Sequence, residues 1–137
     1  MIEVITALLV SYSAPKAIPA QEIAPAIMKA AVKHRVSAIL LTRIILIESK
    51  GLPGAFNAET IDHGLLQINE RTRIAYGLTQ ECLADWRCNL DAGAKILSDM
   101  LAMAGGRACA YNVGPRGRFK KYETACLRYE SRLEALN

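Results

Sequence analysis

The chain has 137 residues, 52% of them hydrophobic and 22% charged. That is enough apolar material for one core and too little charge for extensive disorder, so a single domain over 1–137 is expected. The net charge of +4 and pI of about 9.0 fit an anionic partner (a cell-wall polymer, nucleic acid or a lipid surface) and fit a mildly basic surface equally well. No basic stripe or binding motif supports nucleic acid. No apolar stretch is long enough to span a membrane, because 38–47 is interrupted by Thr42 and Arg43.

An apolar run from Val4 to Val10 opens the chain, yet Glu3 stands where an export signal carries positive charge, and Pro15 follows Ala14. Residues 1–20 therefore read either as a signal remnant or as an N-terminal helix. Pro15, Pro19 and Pro25 keep such a helix short. Residues 25–34 predict a helix with Pro25 in its first turn. Ser37 is placed to cap the next helix, 38–50, which Gly51, Pro53 and Gly54 stop.

In that helix Leu41, Ile44, Ile45 and Glu48 sit at i, i+3, i+4 and i+7, on one face directed at the core. A carboxylate there loses hydration, which raises its pKa. An acid that keeps its proton near neutral pH can act as a general acid. The bland alternative is a structural acid paired with a cation such as Arg43.

Residues 54–69 lack a helical period and suggest a small hairpin or irregular lobe, with a helical segment beginning in 65–76. Leu90, Ala94, Leu97, Leu101 and Ala104 form one stripe of a helix spanning 89–104, with Asn89 as its cap and Gly105-Gly106 as its end. A short helix over 107–112 is closed by Gly114-Pro115. The last helix, 118–135, places Phe119, Tyr122, Cys126, Tyr129 and Leu133 on one side. The fold class is mainly α (α+β), a helical domain with a small β lobe.

Four cysteines, Cys82, Cys88, Cys109 and Cys126, suit two disulfides and an oxidising compartment. Pairing Cys82 with Cys88 and Cys109 with Cys126 closes the two most local loops; free buried thiols are the alternative. No CxxC spacing supports zinc, and no metal or cofactor is expected.

Three segments carry chemistry in combination: Glu48-Ser49, then Asp62 followed by Gly64-Leu65-Leu66-Gln67-Ile68-Asn69, then Ala110-Tyr111-Asn112-Val113-Gly114. Over about residues 30–128 the chain resembles the lysozyme-like fold, and most of all the small lytic transglycosylases that help secretion, conjugation or phage machinery cross the cell wall. Those enzymes carry Glu-Ser at a helix end, Gly-Leu-Met-Gln, and Ala-Tyr-Asn-Ala-Gly. Here Leu66 replaces Met and Val113 replaces Ala, both apolar. A second resemblance is to chicken-type lysozymes, which follow Glu-Ser with Ala-x-Asn and then Asp-Tyr-Gly-Ile-Leu-Gln-Ile-Asn. The counterparts are Ala55-Phe56-Asn57 and Asp62-His63-Gly64-Leu65-Leu66-Gln67-Ile68-Asn69, across a shorter interval from Glu48.

The resemblance implies that Glu48 protonates the leaving oxygen of a MurNAc–GlcNAc bond and that Asp62 stabilises the oxocarbenium ion. Asp62 as a plain turn residue is the alternative. Asn57, Gln67, Asn69 and Tyr111 are the candidate sugar contacts, with Ser49 supporting Glu48 from behind. Asn112 reads as a turn residue and Trp86 as local packing. His34 and His63 lack ligand spacing, and Arg116, Arg118, Lys120 and Lys121 read as a solvated surface. The implied substrate is peptidoglycan glycan strands, in the bacterial envelope outside the cytoplasm, by a monomer recruited to a secretion, pilus, conjugation or phage assembly. Attack by water gives a hydrolytic muramidase and attack by the sugar's own 6-hydroxyl a lytic transglycosylase. A lysozyme-like module with idle catalysis is the remaining rival.

Overall fold

The computed structural model describes residues 1–114 and 120–137. The expectations placed on Pro115, Arg116, Arg118 and Phe119, including the start of the last helix, lie outside the described residues. The order of elements is α1 (Ile2–Tyr12), α2 (Ala20–His34), α3 (Ala38–Ser49), β1 (Phe56–Asn57), β2 (Asp62–His63), β3 (Ile68–Asn69), α4 (Glu70–Ala75), α5 (Gln80–Ala84), α6 (Trp86–Met103), α7 (Ala110–Val113) and α8 (Glu123–Glu134). A 3-10 turn, Lys120–Tyr122, leads into α8. The class is as expected: mainly helical, with one small antiparallel sheet of order β1-β2-β3.

Burial follows the apolar periods. Leu41, Ile44 and Ile45 of α3 are fully buried, at the centre of a cluster with Ile5 and Leu9 of α1, Ile23 and Ile27 of α2, and Leu90, Ala94 and Leu97 of α6. Such burial contributes about 1.5–3 kcal/mol per large aliphatic side chain. Ser37 caps α3 as expected, its hydroxyl accepting from the Leu40 N–H at 3.1 Å. Lys50 closes the helix in the left-handed region (φ 53°) and Gly51 (φ 79°) follows. Among the described residues, no helix is long and apolar enough to cross a membrane.

Several boundaries differ from the sequence expectation. The second helix begins at Ala20, not at 25, with Pro19 at its cap and Pro25 inside it. Pro25 has no N–H to donate, but the helix buries Ile23, Ala24, Ile27, Ala30 and Ala31 on both sides of it, and that burial outweighs one lost bond. The helical segment expected to begin within 65–76 does so, at Glu70, after a turn and β3 take residues 65–69. The lobe thus has three strands rather than a hairpin. The long helix begins at Trp86, where the Asp85 carboxylate accepts from the Arg87 and Cys88 N–H groups.

Asn89 is therefore not a cap. It is fully buried in the first turn of α6 and acts as a clasp. Its Oδ1 accepts from the Leu66 N–H at 3.0 Å, and its Nδ2 donates to the His63 carbonyl at 2.9 Å and the Leu83 carbonyl at 3.1 Å. One amide so ties the β lobe and α5 to α6. Two glycines make room for this. A Cβ on Gly64 (φ 75°) would lie 2.3 Å from Asn89 Nδ2, and one on Gly93 would lie 2.2 Å from Leu66 Cγ.

Both disulfides form in the expected pairing. Cys82–Cys88 joins α5 to α6 with its Cα atoms 5.1 Å apart, and Cys109–Cys126 joins the start of α7 to α8 at 4.9 Å. Arg43 donates from Nε to the Leu136 carbonyl at 3.0 Å. It anchors the C-terminal end of the chain, so the Arg43–Glu48 pair envisaged as the structural alternative is not the arrangement found.

Candidate active site

Glu48 lies in the last turn of α3, one turn beyond Ile44 and Ile45 on the same core-facing stripe. It is half-buried. Its Oε1 accepts a hydrogen bond from the Tyr129 hydroxyl of α8 at 3.0 Å. Burial pushes the Glu48 carboxyl up to about 7. The Tyr129 bond opposes that rise, the negative charge of Asp62 adds to it, and Arg132 opposes it. A Glu48→Gln side chain would keep an acceptor for Tyr129 and lose the proton, which separates the chemistry from the packing.

Ser49, expected to support Glu48, is buried. Its hydroxyl donates to the Ile45 carbonyl at 3.1 Å and accepts from the Gly51 N–H at 3.2 Å. It thereby satisfies backbone groups where the helix ends and the chain turns away, which fixes the turn that presents Glu48.

The sheet presents Asp62. Its register pairs Asn57 with Asp62 and Asp62 with Asn69, so these three side chains form one row across a single face. Phe56, His63 and Ile68 form the row on the other face, where Ile68 is buried and the Phe56 and His63 rings lie 4.9 Å apart. His63 therefore points away from Asp62. The Thr60 hydroxyl donates to Asp62 Oδ2 at 2.6 Å and orients that carboxylate. Asn57 Oδ1 accepts from the Glu59 N–H at 3.0 Å, folding the turn between β1 and β2, and Asn69 Oδ1 caps α4 by accepting from the Thr72 N–H at 2.8 Å.

Gln67 adopts the left-handed region (φ 49°), which for a non-glycine residue is strained and often tied to a site. Its Nε2 donates to the carbonyls of Ala55 and Gly64, each at 3.0 Å, so both amide hydrogens hold the lobe together. A sugar can engage this side chain only through Oε1. The Tyr111 hydroxyl donates to the Leu66 carbonyl, while the ring is partly exposed along the cleft. That hydroxyl is held well above its ordinary pKa by burial first, then by the charges of Glu48 and Asp62.

Three of these residues converge: Gln67, Asn69 and Tyr111 line a cleft of about 450 Å³ together with Ile96 and Met100 of α6. Asn112, read from sequence as a turn residue, lines it too. Glu48 and Asp62 are not among its lining residues, but they lie close enough for their charges to bear on the Tyr111 hydroxyl and on one another. Asn57 sits at the outer end of its row and is exposed.

Tyr129 and Asn89 are the residues that sequence reasoning placed without their roles. Tyr129 read as one member of an apolar stripe, and a buried tyrosine carries a hydroxyl that needs a partner, which was the available signal. Trp86 packs locally, with the Arg87 guanidinium 4.2 Å from its ring centroid. His34 pairs with Asp91 at 2.8 Å, away from the cleft. Cys109, Cys126 and Glu130 lie near enough together to hold a metal, but disulfide sulfurs are not thiolate donors.

The arrangement thus combines a half-buried acid whose pKa burial raises to about 7, a second carboxylate on the sheet whose charge reaches it, and a polar cleft that shares Tyr111 with both. No curated protein matches the chain. Residues 25–128, which hold every one of these side chains except Tyr129 and Arg132, match the model of the transglycosylase SLT domain, so the chain belongs to that lysozyme-like family of peptidoglycan lytic transglycosylases.

Proposed function

We propose that this protein cleaves the β-1,4 bond between MurNAc and GlcNAc, with Glu48 as general acid and then general base. The observation that carries the reading is the Glu48 carboxyl with its pKa raised to about 7, hydrogen-bonded to Tyr129 beside the cleft. Protonated Glu48 gives its proton to the glycosidic oxygen as the C1–O bond breaks. The MurNAc ring takes on oxocarbenium character, which the Asp62 carboxylate stabilises from the facing sheet. Glu48, now ionised, takes the proton from the 6-hydroxyl of the same sugar as O6 bonds to C1. The products are a 1,6-anhydro-MurNAc end and a free GlcNAc 4-hydroxyl.

Asn57, Gln67, Asn69 and Tyr111 bind the strand in this account. The Tyr111 ring offers an apolar face, and Gln67 Oε1 accepts from a sugar hydroxyl or amide. The two disulfides suit an oxidising space outside the cytoplasm, the periplasm or cell envelope, where the polymer lies. A small monomeric enzyme of this kind fits recruitment to an envelope-crossing assembly such as a secretion, pilus, conjugation or phage machine.

Asp62 favours one second reading. A carboxylate on the opposite face from the acid is the arrangement of a hydrolytic muramidase, in which water rather than O6 attacks C1. Mass spectrometry of digested peptidoglycan separates the two. Anhydro-muropeptides are the expected product. Reducing muropeptides alone would overturn the anhydro-forming assignment and establish hydrolysis, and an undigested wall would overturn both.

A further inference from the structure

The cleft holds one feature that cleavage of an uncharged glycan does not use. Among the described residues, Arg71 is the single charged side chain lining it. The rest of the lining is amide, hydroxyl, phenol and apolar surface, which suits N-acetylated sugars. Arg71 is exposed, in the first turn of α4, on the same wall as Asn69 and Thr72.

Its own helix gives it no reason to be there. A cation near a helix N-terminus opposes the macrodipole. The neighbouring acid, Glu70, is engaged by Arg73, whose Nε donates to it at 3.0 Å and whose Nη1 donates to the Leu78 carbonyl at 3.0 Å. So Arg73 fastens α4, while Arg71 lines the cleft from an exposed position. A guanidinium offers planar paired donors that match a carboxylate.

On a peptidoglycan strand the N-acetylhexosamine rings are neutral. The carboxylates sit on the lactyl arm of MurNAc: a free lactyl carboxylate where the stem peptide has been removed, or the carboxylates of the stem where it is intact. We propose that Arg71 is a specificity-determining residue that binds a carboxylate carried on the lactyl arm of a MurNAc unit seated in this cleft. The proposal rests on the reading of this cleft as a peptidoglycan site. It makes the enzyme selective for muramyl strands over uncharged GlcNAc polymers.

The test is a binding measurement in a Glu48→Gln background, where ligands stay intact. Three ligands are titrated calorimetrically: glycan fragments with stem peptides, the same fragments after amidase removal of the stems, and GlcNAc oligomers. Adding Arg71→Gln is expected to weaken one or both carboxylate-bearing ligands by roughly tenfold or more, and GlcNAc oligomers by less than about twofold. Arg71→Lys should recover part of the loss. The weakened ligand identifies the carboxylate, lactyl or stem. Equal weakening of all three ligands, or of none, would overturn the proposal and leave the function of Glu48 untouched. Failure of the Glu48→Gln protein to bind any of the three would instead overturn the peptidoglycan reading and this inference with it.

Discussion

Glu48→Gln is expected to lower cleavage of purified wall by roughly 10²- to 10⁴-fold, the usual contribution of a positioned general acid–base group. The substitution keeps the length of the side chain and an acceptor for the Tyr129 hydroxyl, 3.0 Å away in the native protein. The loss should therefore appear in kcat with little change in strand binding. The same change should stabilise the fold at alkaline pH. Glu48 has a folded-state pKa of about 7 against 4.5 for an unperturbed glutamate. Between those values the folded chain holds a proton that the unfolded chain has released, so stability falls as pH rises through that window. Above pH 7 the native protein carries an ionised, half-buried carboxylate, at a cost of up to about 3 kcal/mol. Glu48→Gln removes that cost. Urea denaturation at pH 5 and pH 8 should give a gap between variant and parent that widens at the higher pH. A variant that still clears wall at the parent's rate would remove Glu48 from the mechanism.

Asn89→Ala should be the most destabilising polar-to-alanine change among the described residues. Its amide makes three hydrogen bonds, to Leu66, His63 and Leu83, from a fully buried position. Truncation leaves two carbonyls and one N–H without these partners, and each unsatisfied buried group costs about 1–3 kcal/mol. A loss of roughly 3–5 kcal/mol is expected in urea denaturation, a large share of the 5–15 kcal/mol that holds a typical domain together. Cleavage should fall further than unfolding accounts for. Leu66 supplies the carbonyl that receives the Tyr111 hydroxyl, and Asp62 sits next to His63 on β2, so a loosened lobe misplaces both. A loss under about 1 kcal/mol would mean that Asn89 does not clasp the lobe.

These two residues also mark what the sequence disclosed. Glu48 was legible because helical period is a local property: Leu41, Ile44 and Ile45 announce a buried face, and an acid on it breaks the pattern. Ser37 and the two disulfides were legible for the same reason, since each partner is near in the chain. Asn89 was not. Asparagine before an apolar stripe reads as a helix cap, and Asp85, four residues earlier, was the better competitor for that role. Two of the three partners of the Asn89 amide, Leu66 and His63, are 23 and 26 residues away, and the Tyr129 bond to Glu48 spans 81. Long-range polar partnerships leave no periodic trace.

The β lobe lies between these cases. Its place between α3 and α4 was evident from the loss of helical period, but strands of two residues are too short to show alternation. The row Asn57, Asp62 and Asn69 appears only once register is known. Pro25 shows the converse: a strong local breaker overruled by burial on both sides of it.

The central claim is that Glu48 waits as a protonated acid near neutral pH. A ¹³C NMR titration of its side-chain carboxyl tests this directly, in the native protein and in two variants. The native midpoint should fall at about pH 7. Tyr129→Phe removes a hydrogen bond that favours the ionised form and should move the midpoint up; Asp62→Asn removes a repelling charge and should move it down. A native midpoint near 4.5, unmoved by either change, would contradict the account, because Glu48 would then be ionised in the wall and have no proton to give.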